Sequence, residues 1–195
     1  MQSKKSSLTK GEKTRERLLE VAADLFAEKQ FHGTRISDIV QAAGVTQPSF
    51  YSYFPSKEAI YQQLIARFDE ELEELVVSLL IDAALPRENV LSNLTESFHR
   101  YLTFFTSNRN LTRISLFQQP QDAETRRKLQ RWIARNMRIE QERGFFSAEV
   151  PVEVLAGCYL GVLLQTLLQE PQSESLAAIS LERGKFLYGG LTFKP

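Results

Sequence analysis

The 195-residue sequence predicts an all-α protein made of two units. Apolar residues recur at the three- and four-residue spacing of a helix face along almost the whole chain, and no segment alternates with the period of two typical of strands. The length suffices for a small domain joined to a larger one. The hydrophobic share of 43% and the charged share of 25% are ordinary for globular proteins, so we expect packed cores.

The first predicted helix runs from about residue 12 to residue 29. Thr9 and Glu12 have the spacing of a capping box at its start, and Gly33 follows its end. A short helix, "ISDIVQAA", is predicted next. It stops at Gly44, because glycine adopts a left-handed conformation at little cost.

The segment "GVTQPSFYSYFPSK", residues 44–57, predicts a third, short helix with two different faces. Thr46 is expected to cap it, and Pro48 falls in its first turn, where the missing N–H matters little. A rotation of about 100° per residue places Phe50 and Phe54 on the inner side. Pro48, Ser49, Tyr51 and Ser52 then point outward, with Tyr53 at the boundary.

A long helix and five further helices are predicted after this segment. The long helix spans about residues 56–81, because apolar residues recur there at steps of three or four. The others are predicted at about residues 88–107, 111–117, 122–143, 152–169 and 175–188.

Residues 36–54 have the proportions of a helix-turn-helix, although any tight helical corner in a bundle would look similar. The longer run "FHGTRISDIVQAAGVTQPSFYSYFPSKEAIYQQL" resembles the DNA-binding domain of TetR-family transcriptional regulators. The family pattern has Gly-Thr, a helix ending Ala-Gly-Val-Ser/Thr, then Tyr-x-Tyr-Phe and Ser-Lys-Glu. The resemblance covers about residues 12–65. Pro48 departs from it, since the family usually has Gly there, and the close backbone approach of that Gly is not carried over.

The resemblance implies roles for individual residues in binding double-stranded operator DNA. Thr34, Tyr53 and Lys57 would hold backbone phosphates, while the groove would be faced by Thr46, Gln47, Pro48, Ser49, Tyr51 and Ser52. Arg35 and Ser37 are further candidates at the start of the preceding helix. Hydroxyls and Lys suit phosphate oxygens, and Gln can form two hydrogen bonds to adenine.

Charge is distributed unevenly along the chain. Residues 1–57 carry nine Lys/Arg and six Asp/Glu, whereas the remainder carries 15 and 18. This asymmetry suits a polyanion-binding end. Lys4, Lys5 and Lys10 would form a basic N-terminal arm that adds salt-sensitive affinity, or equally a solvated tail.

The apolar run "VEVLAGCYLGVLLQTLLQ" has two interpretations. It is a fully buried core helix, or it pairs with the last helix across a two-fold axis, as the resemblance implies for a homodimer. The predicted dimer contacts are Val154, Gly157, Cys158, Gly161, Leu164, Gln165 and Leu168. By itself, Cys158 is most simply a small buried apolar residue.

Aromatic residues are dense around "ESFHRYLTFFTSN". Rings at helical spacing form plain core more often than a cavity, but the resemblance implies a pocket for a small apolar inducer. Its predicted lining is Leu64, Phe68, Phe98, Tyr101, Phe105, Phe117 and Trp132.

Other classes of protein are disfavoured. One cysteine excludes an internal disulfide, and no arrangement around His32 and His99 suggests a triad or metal centre, so we expect no enzyme and no cofactor. Without a signal sequence or a membrane-length apolar stretch, a cytoplasmic protein is expected. We therefore predict a homodimeric repressor that binds a palindromic operator, with a DNA-binding domain at 1–56 and a regulatory domain at 57–195. The alternative is a helical small-molecule or lipid-binding protein without DNA-binding function.

Overall fold

A computed structural model describes residues 9–192, and within that range the regular structure is helical. In chain order the helices are α1 (Lys10–Gly33), α2 (Ile36–Ala43), α3 (Gln47–Tyr51), α4 (Lys57–Ser78), α5 (Val90–Ser107), α6 (Arg109–Phe117), α7 (Asp122–Glu142), α8 (Val152–Leu168) and α9 (Leu176–Leu191). Short 3₁₀ turns, Arg87–Asn89 and Ser173–Ser175, lead into α5 and α9. The all-α prediction is confirmed, and each predicted helix is present with bounds shifted by a few residues.

Helix α1 begins with the predicted capping box. The backbone N–H of Glu12 donates to Thr9 Oγ1 at 3.3 Å, and that of Thr9 donates to Glu12 Oε2 at 2.7 Å. Near its other end the helix is interrupted at Gln30, whose φ of 62° and ψ of 169° are not helical. The regular part of α1 therefore ends close to the predicted residue 29, and a last turn continues to Gly33.

The N-terminal core lies between α1, α2, α3 and the beginning of α4. Its α4 members include Ile60 and Leu64, and Ile114 of α6 closes it from the other side. The first two turns of α4 thus share the N-terminal core. A division before residue 57 would separate them from that core, so we place the boundary within α4.

The C-terminal core is formed by the rest of α4 with α5, α7, α8 and α9. Helix α9 packs along α5, and α8 packs along α7. Gly184 permits the first of these contacts, because a Cβ there would lie only 2.5 Å from Thr95 Oγ1 and 3.1 Å from Thr95 Cα. One face of α9 is therefore packed on α5, and only its other side is open to the dimer contact predicted for this helix.

Two helices join the cores. Helix α4 belongs to both, and Arg67 on it forms an ion pair with Glu16 of α1 at 3.1 Å. From α6, Asn110 Nδ2 donates to Asp24 Oδ1 at 2.7 Å, and from the residue after α6, Gln118 Nε2 donates to the Ala27 carbonyl at 2.9 Å. Helix α1 is therefore tied by polar contacts to both α4 and the α6 region. Among the described helices, none combines the length and hydropathy needed to cross a bilayer.

Candidate nucleic-acid interface

The turn between α2 and α3 is fixed by local hydrogen bonds. Gly44 ends α2 in the left-handed conformation, with φ of 66°, and its N–H donates to the Gln41 carbonyl. Thr46 Oγ1 then accepts from the Ser49 N–H at 3.3 Å, as predicted for the cap of α3. Pro48 occupies the first turn of α3. This short helix is therefore held at a defined angle to α2.

The two faces of α3 differ as the sequence predicts. Phe50 and Phe54 are buried, and their ring centroids lie 5.9 Å apart. The exposed side chains are Gln47, Pro48, Tyr51 and Ser52, together with Thr46 at the cap, while Ser49 and Tyr53 are half-buried. A polar surface is thus mounted on a packed aromatic base.

An open concave surface of about 500 Å³ lies beside α3. It is lined by side chains from the four helices α1 to α4, among them His32, Ser37, Gln47 and Tyr51, and by Arg35 before α2. Glu58 also lines it, and its own backbone N–H and the Ser56 hydroxyl lower the pKa of this carboxyl. The surface therefore combines hydrogen-bonding groups and a guanidinium with one carboxylate at its edge.

Thr34 and Lys57 have structural roles that the sequence did not predict. Thr34 is only 1% exposed, and its hydroxyl donates to the Gln30 carbonyl at 2.8 Å. Lys57 Nζ donates to the carbonyls of Phe31 at 2.8 Å and Thr34 at 2.9 Å, and lies 4.4 Å from the centroid of the Phe31 ring. The phosphate contact predicted for the Thr34 hydroxyl is inconsistent with this burial. Two of the three Lys57 donors are likewise already used to cap α1.

Other cations lie nearby. Arg17 of α1 is exposed, and its Nη2 lies 3.6 Å from the position that a Cβ on Gly44 would take, so it adjoins the α2–α3 turn. No sequence signal predicts this proximity, because the two residues are far apart along the chain. Of the predicted basic arm, Lys10 is the first residue of α1, and Lys4 and Lys5 lie outside the described residues.

A second surface, the α8–α9 face, is apolar and exposed. All seven predicted dimer residues are exposed or half-buried on α8 in the single chain, including Val154 and Leu168. Helix α9 adds Leu181 and Phe186, the latter 70% exposed. Beyond the backbone of α8 itself, no atom of the described chain lies within 4 Å of the position that a Cβ on Gly161 would take, so another helix can approach there. The simplest interpretation of Cys158, a buried core residue, is wrong, because its side chain is exposed on this face.

The predicted aromatic cavity is filled. Phe68 packs against Phe104 and Phe105 at centroid distances of 5.4 and 6.3 Å, and Tyr101 stacks on Phe105 at 6.3 Å. Phe98 is buried against Tyr159. Leu64 belongs to the N-terminal core. Leu64 and Phe68 therefore do not close a cavity around these rings.

The remaining predicted ligand residues separate from one another. Tyr101 lines a cavity of about 40 Å³ between α5, α7 and α8, whereas Phe105 and Phe117 line an open cleft of about 370 Å³ beside Arg109. Trp132 is half-buried against the C-terminal core. The prediction of a single aromatic pocket is therefore wrong, because these residues line two separate spaces.

Comparison with known proteins shows the family. Residues 18–64 match the profile of the bacterial regulatory proteins of the tetR family. Over 190 residues, 94% of this chain and 95% of the relative, the chain is 34% identical to the uncharacterized HTH-type transcriptional regulator YdgC of Bacillus subtilis. It is also 37% identical to the HTH-type transcriptional repressor DhaR of a Mycobacterium species over 79 residues, which is 40% of each chain.

Solved structures show the same fold. A tetR-family regulatory protein from Rhodococcus RHA1 superposes with a TM-score of 0.74 at 14% identity, covering 94% of this chain and 99% of that one. The fatty acid degradation regulator FadR from Bacillus halodurans gives 0.67 at 19% identity, covering 97% and 100%. From the fold, the geometry of α3 and the full-length similarity to YdgC, it follows that the chain belongs to the TetR family and is a DNA-binding transcriptional regulator.

Proposed function

We propose that this regulator is a homodimeric, ligand-responsive repressor that reads a palindromic operator with α3. The observation that carries the proposal is the exposed polar face of α3 on its buried base of Phe50 and Phe54. In a helix-turn-helix, the second helix enters the major groove and its N-terminal residues contact base edges. Gln47, the first residue of α3, is then positioned to read bases.

The side chains of α3 offer distinct chemistry to the groove. The Gln47 amide can donate to and accept from adenine at once. Ser52 Oγ donates to the Pro48 carbonyl at 3.2 Å, so its lone pairs remain to accept from a base or a water. Tyr51 is 49% exposed and can lie against a thymine methyl group or a sugar.

Phosphate contacts come from residues around this helix. Arg35 and Ser37 are exposed at the start of α2, and Arg17 lies beside the α2–α3 turn. The Tyr53 hydroxyl lies against the first turn of α1, since a Cβ on Gly11 would be 3.7 Å from it. These groups surround α3 and would fix its orientation without reading sequence.

The α8–α9 face supports a two-fold dimer. Members of this family bind operator DNA and act as dimers. An isologous pairing of two α8–α9 faces would cover the exposed Val154, Leu168, Leu181 and Phe186 in both copies. Two reading helices then meet successive half-sites of a palindrome.

Footprinting on the DNA that flanks the protein's own gene tests the proposal. We expect a protected palindrome, lost when Gln47, Tyr51 and Ser52 are replaced together by Ala, with the helical circular dichroism unchanged. Sequence-independent protection, or protection that survives the triple substitution, would contradict the role of α3. The alternative of a binding protein without DNA function would then be favoured.

A further inference from the structure

A small cavity in the C-terminal domain contains an unusual set of polar groups. Its volume is about 40 Å³, and it lies between the end of α4, α5, α7 and α8. Its polar lining includes Asn93, Tyr101, Glu140 and Tyr159. A water molecule needs about 10 to 15 Å³ of such space, so the cavity holds a few waters or the head group of a small molecule.

Glu140 is a buried carboxylate without a cationic partner. It is 5% exposed, and its Oε1 accepts from the Ile81 N–H at 3.1 Å. Within residues 9–192 it forms no ion pair. Burial raises the pKa of this carboxyl to about 7, although the Ile81 N–H and the charge of Arg143 oppose the rise. A buried charge left unpaired is costly, so the site favours an incoming cation.

The other polar groups add acceptors to this carboxylate. Asn93 Oδ1 is buried and has no hydrogen-bond partner among the described residues. Tyr101 and Tyr159 are buried, and burial raises the pKa of both phenols far above the usual range, so they remain neutral hydroxyls with free lone pairs. A group with several donors and a positive charge matches this set, whereas an anion would meet a carboxylate.

We propose that this cavity binds the primary ammonium group of a small amine effector, with Glu140 as its counter-ion. Three N–H donors would meet the Glu140 carboxylate, Asn93 Oδ1 and a tyrosine hydroxyl. The apolar side chains that complete the lining, including Leu79 and Met137, would contact the carbon chain of the amine. The proposal rests on the ligand-responsive function above and names the class of ligand, which is cationic at its head rather than wholly apolar.

Glu140 and two residues near it on the α7 side hold the end of α4 and the segment that follows it, which explains how the ligand would act. Asn136 Nδ2 donates to the Val76 carbonyl at 2.6 Å, and Arg143 Nη1 donates to the Ile81 carbonyl at 2.7 Å. Glu140 adds a third hydrogen bond by accepting from the Ile81 N–H. An ammonium group would compete for Glu140 and loosen the end of α4. The other end of α4 starts at Lys57, beside the DNA-reading surface, so the amine would lower operator affinity.

Short probes suited to the cavity test the proposal. Ethylammonium, ethanol and acetate are each titrated into the full-length protein, labelled with ¹⁵N, and followed through the amide resonances of Ile81 and Asn93. We expect only ethylammonium to bind. Its affinity should be about tenfold higher at pH 8 than at pH 6, because the ionised fraction of Glu140 rises about tenfold across its pKa. The titratable groups acting on Glu140 are Arg143 at the end of α7, Tyr101 on α5 and Tyr159 on α8.

Matched variants locate the binding. Glu140→Gln should abolish ethylammonium binding, Tyr159→Phe should weaken it several-fold, and Glu142→Gln, an exposed neighbour on α7, should leave it unchanged. Equal binding of ethanol, or undiminished binding to a folded Glu140→Gln protein, overturns the amine site. If Glu140→Gln does not fold, the Tyr159→Phe result and the pH dependence of the wild type decide.

Operator binding without ligand is measured separately, so the two proposals fail in different ways. A protein that binds its operator but not ethylammonium refutes the amine site alone. A protein that binds ethylammonium through Glu140 but shows no specific DNA binding supports the site and refutes the repressor.

Discussion

The N-terminal core is closed almost entirely by apolar side chains, whereas the C-terminal core contains ionisable and amide groups. Among buried residues before position 69, Thr34 and the Tyr61 phenol are the polar exceptions, and Thr34 bonds backbone carbonyls. Beyond that point Asp69, Asn136 and Glu140 are buried. In the N-terminal unit the polar side chains of α3 are at the surface, whereas in the C-terminal unit several polar and charged side chains are buried.

This difference distinguishes a domain held by apolar packing from one whose packing also includes buried charges. Packing fixes the position of α3, and its energy does not depend on pH or on a bound cation. Helix α7 forms an ion pair with α4, Lys128 Nζ to Asp69 at 2.7 Å, and its Glu140 carboxylate accepts from the Ile81 N–H just beyond α4. Buried charges respond to protons and ligands, so the C-terminal end of α4 is the end whose packing is expected to depend on conditions.

The largest effect is expected when a residue on the inner face of α3 is replaced, and the adjacent residue on the outer face provides the comparison. Phe50→Ala should lower the free energy of unfolding by about 3 to 5 kcal/mol, because it empties a fully buried ring site. Tyr51→Ala should change it by less than about 0.5 kcal/mol, since this ring is half exposed, while reducing operator affinity. Urea unfolding and fluorescence anisotropy on operator DNA measure both. Equal stability losses in the two variants would show that α3 has no distinct inner face.

The buried carboxylate makes the C-terminal core sensitive to pH. Since the pKa of Glu140 rises from an ordinary 4.5 to about 7 on folding, the folded protein retains a proton that the unfolded chain has released between these values. Stability therefore falls as pH rises through this window, by about 3 kcal/mol in total. Glu140→Gln removes this loss.

Urea unfolding at several pH values measures the effect. The stability of Glu140→Gln relative to the wild type should increase by about 3 kcal/mol from pH 4.5 to pH 8. Glu142→Gln provides the control, and its difference from the wild type should stay constant. A constant difference for Glu140→Gln as well would mean that the carboxylate is hydrated in solution.

The α8–α9 face gives the next effect, in which a surface rather than a core is changed. Gly161→Asp places a charge at an open position of the apolar face and leaves the single chain intact, since glycine is itself unfavourable within a helix. The dimer dissociation constant should rise at least about a hundredfold, close to 2.7 kcal/mol. Sedimentation measures it, with Ala148→Asp on an exposed loop as the control. An undiminished dimer would remove this face from the interface.

The predictability of each region follows from where its partners lie in the sequence. The faces of α3 were predictable because Thr46, Phe50 and Phe54 belong to one short segment, and helical rotation alone sorts them. The role of Lys57 was not, because its ammonium group donates to carbonyls 23 and 26 positions away in the sequence. The role of Thr34 was not, because its hydroxyl bonds the carbonyl of Gln30, where α1 departs from helical geometry in a way that periodicity does not describe.

Residues of the C-terminal region depend on still more distant contacts. Glu140 lies in a helix rich in Lys and Arg that is typical of a solvated surface, and it is buried by packing of α7 against α5, α8 and the segment after α4. Helix α8 is apolar around most of its circumference, so its apolar pattern by itself does not distinguish the side facing α7 from the side left exposed. The error over Cys158 has this origin. The seven dimer contacts that the family resemblance suggested all lie on the exposed or half-buried side.

Base reading by α3 should give a moderate effect confined to DNA. Gln47→Ala should cost about 1 to 3 kcal/mol at the preferred operator and relax the preference at one base position. The fold should be unaffected, since Gln47 is exposed at the start of the helix. Binding to a series of base-substituted operators measures it, and Glu58→Gln, on the same concave surface, is the comparison. Removing that carboxylate should strengthen binding to all sequences alike. An unchanged base preference in Gln47→Ala would exclude Gln47 from direct reading.

The smallest effect concerns backbone strain at the end of α1, next to the reading unit. Gln30 has φ of 62° and ψ of 169°, a conformation that costs a residue with a Cβ about 1 to 3 kcal/mol and glycine almost nothing. Its side chain is exposed, so little packing is lost on replacement. Glycine also gains entropy in the unfolded chain, which offsets part of the benefit. Gln30→Gly should therefore raise the free energy of unfolding by about 1 kcal/mol, whereas Gln30→Ala, which keeps the strain, should not stabilise the protein. If Gln30→Gly instead lowers the free energy of unfolding, relief of backbone strain is not the dominant effect at this position. The hydrogen bond from the Thr34 hydroxyl to the carbonyl of residue 30 is then too weak to hold the turn once glycine makes it more flexible.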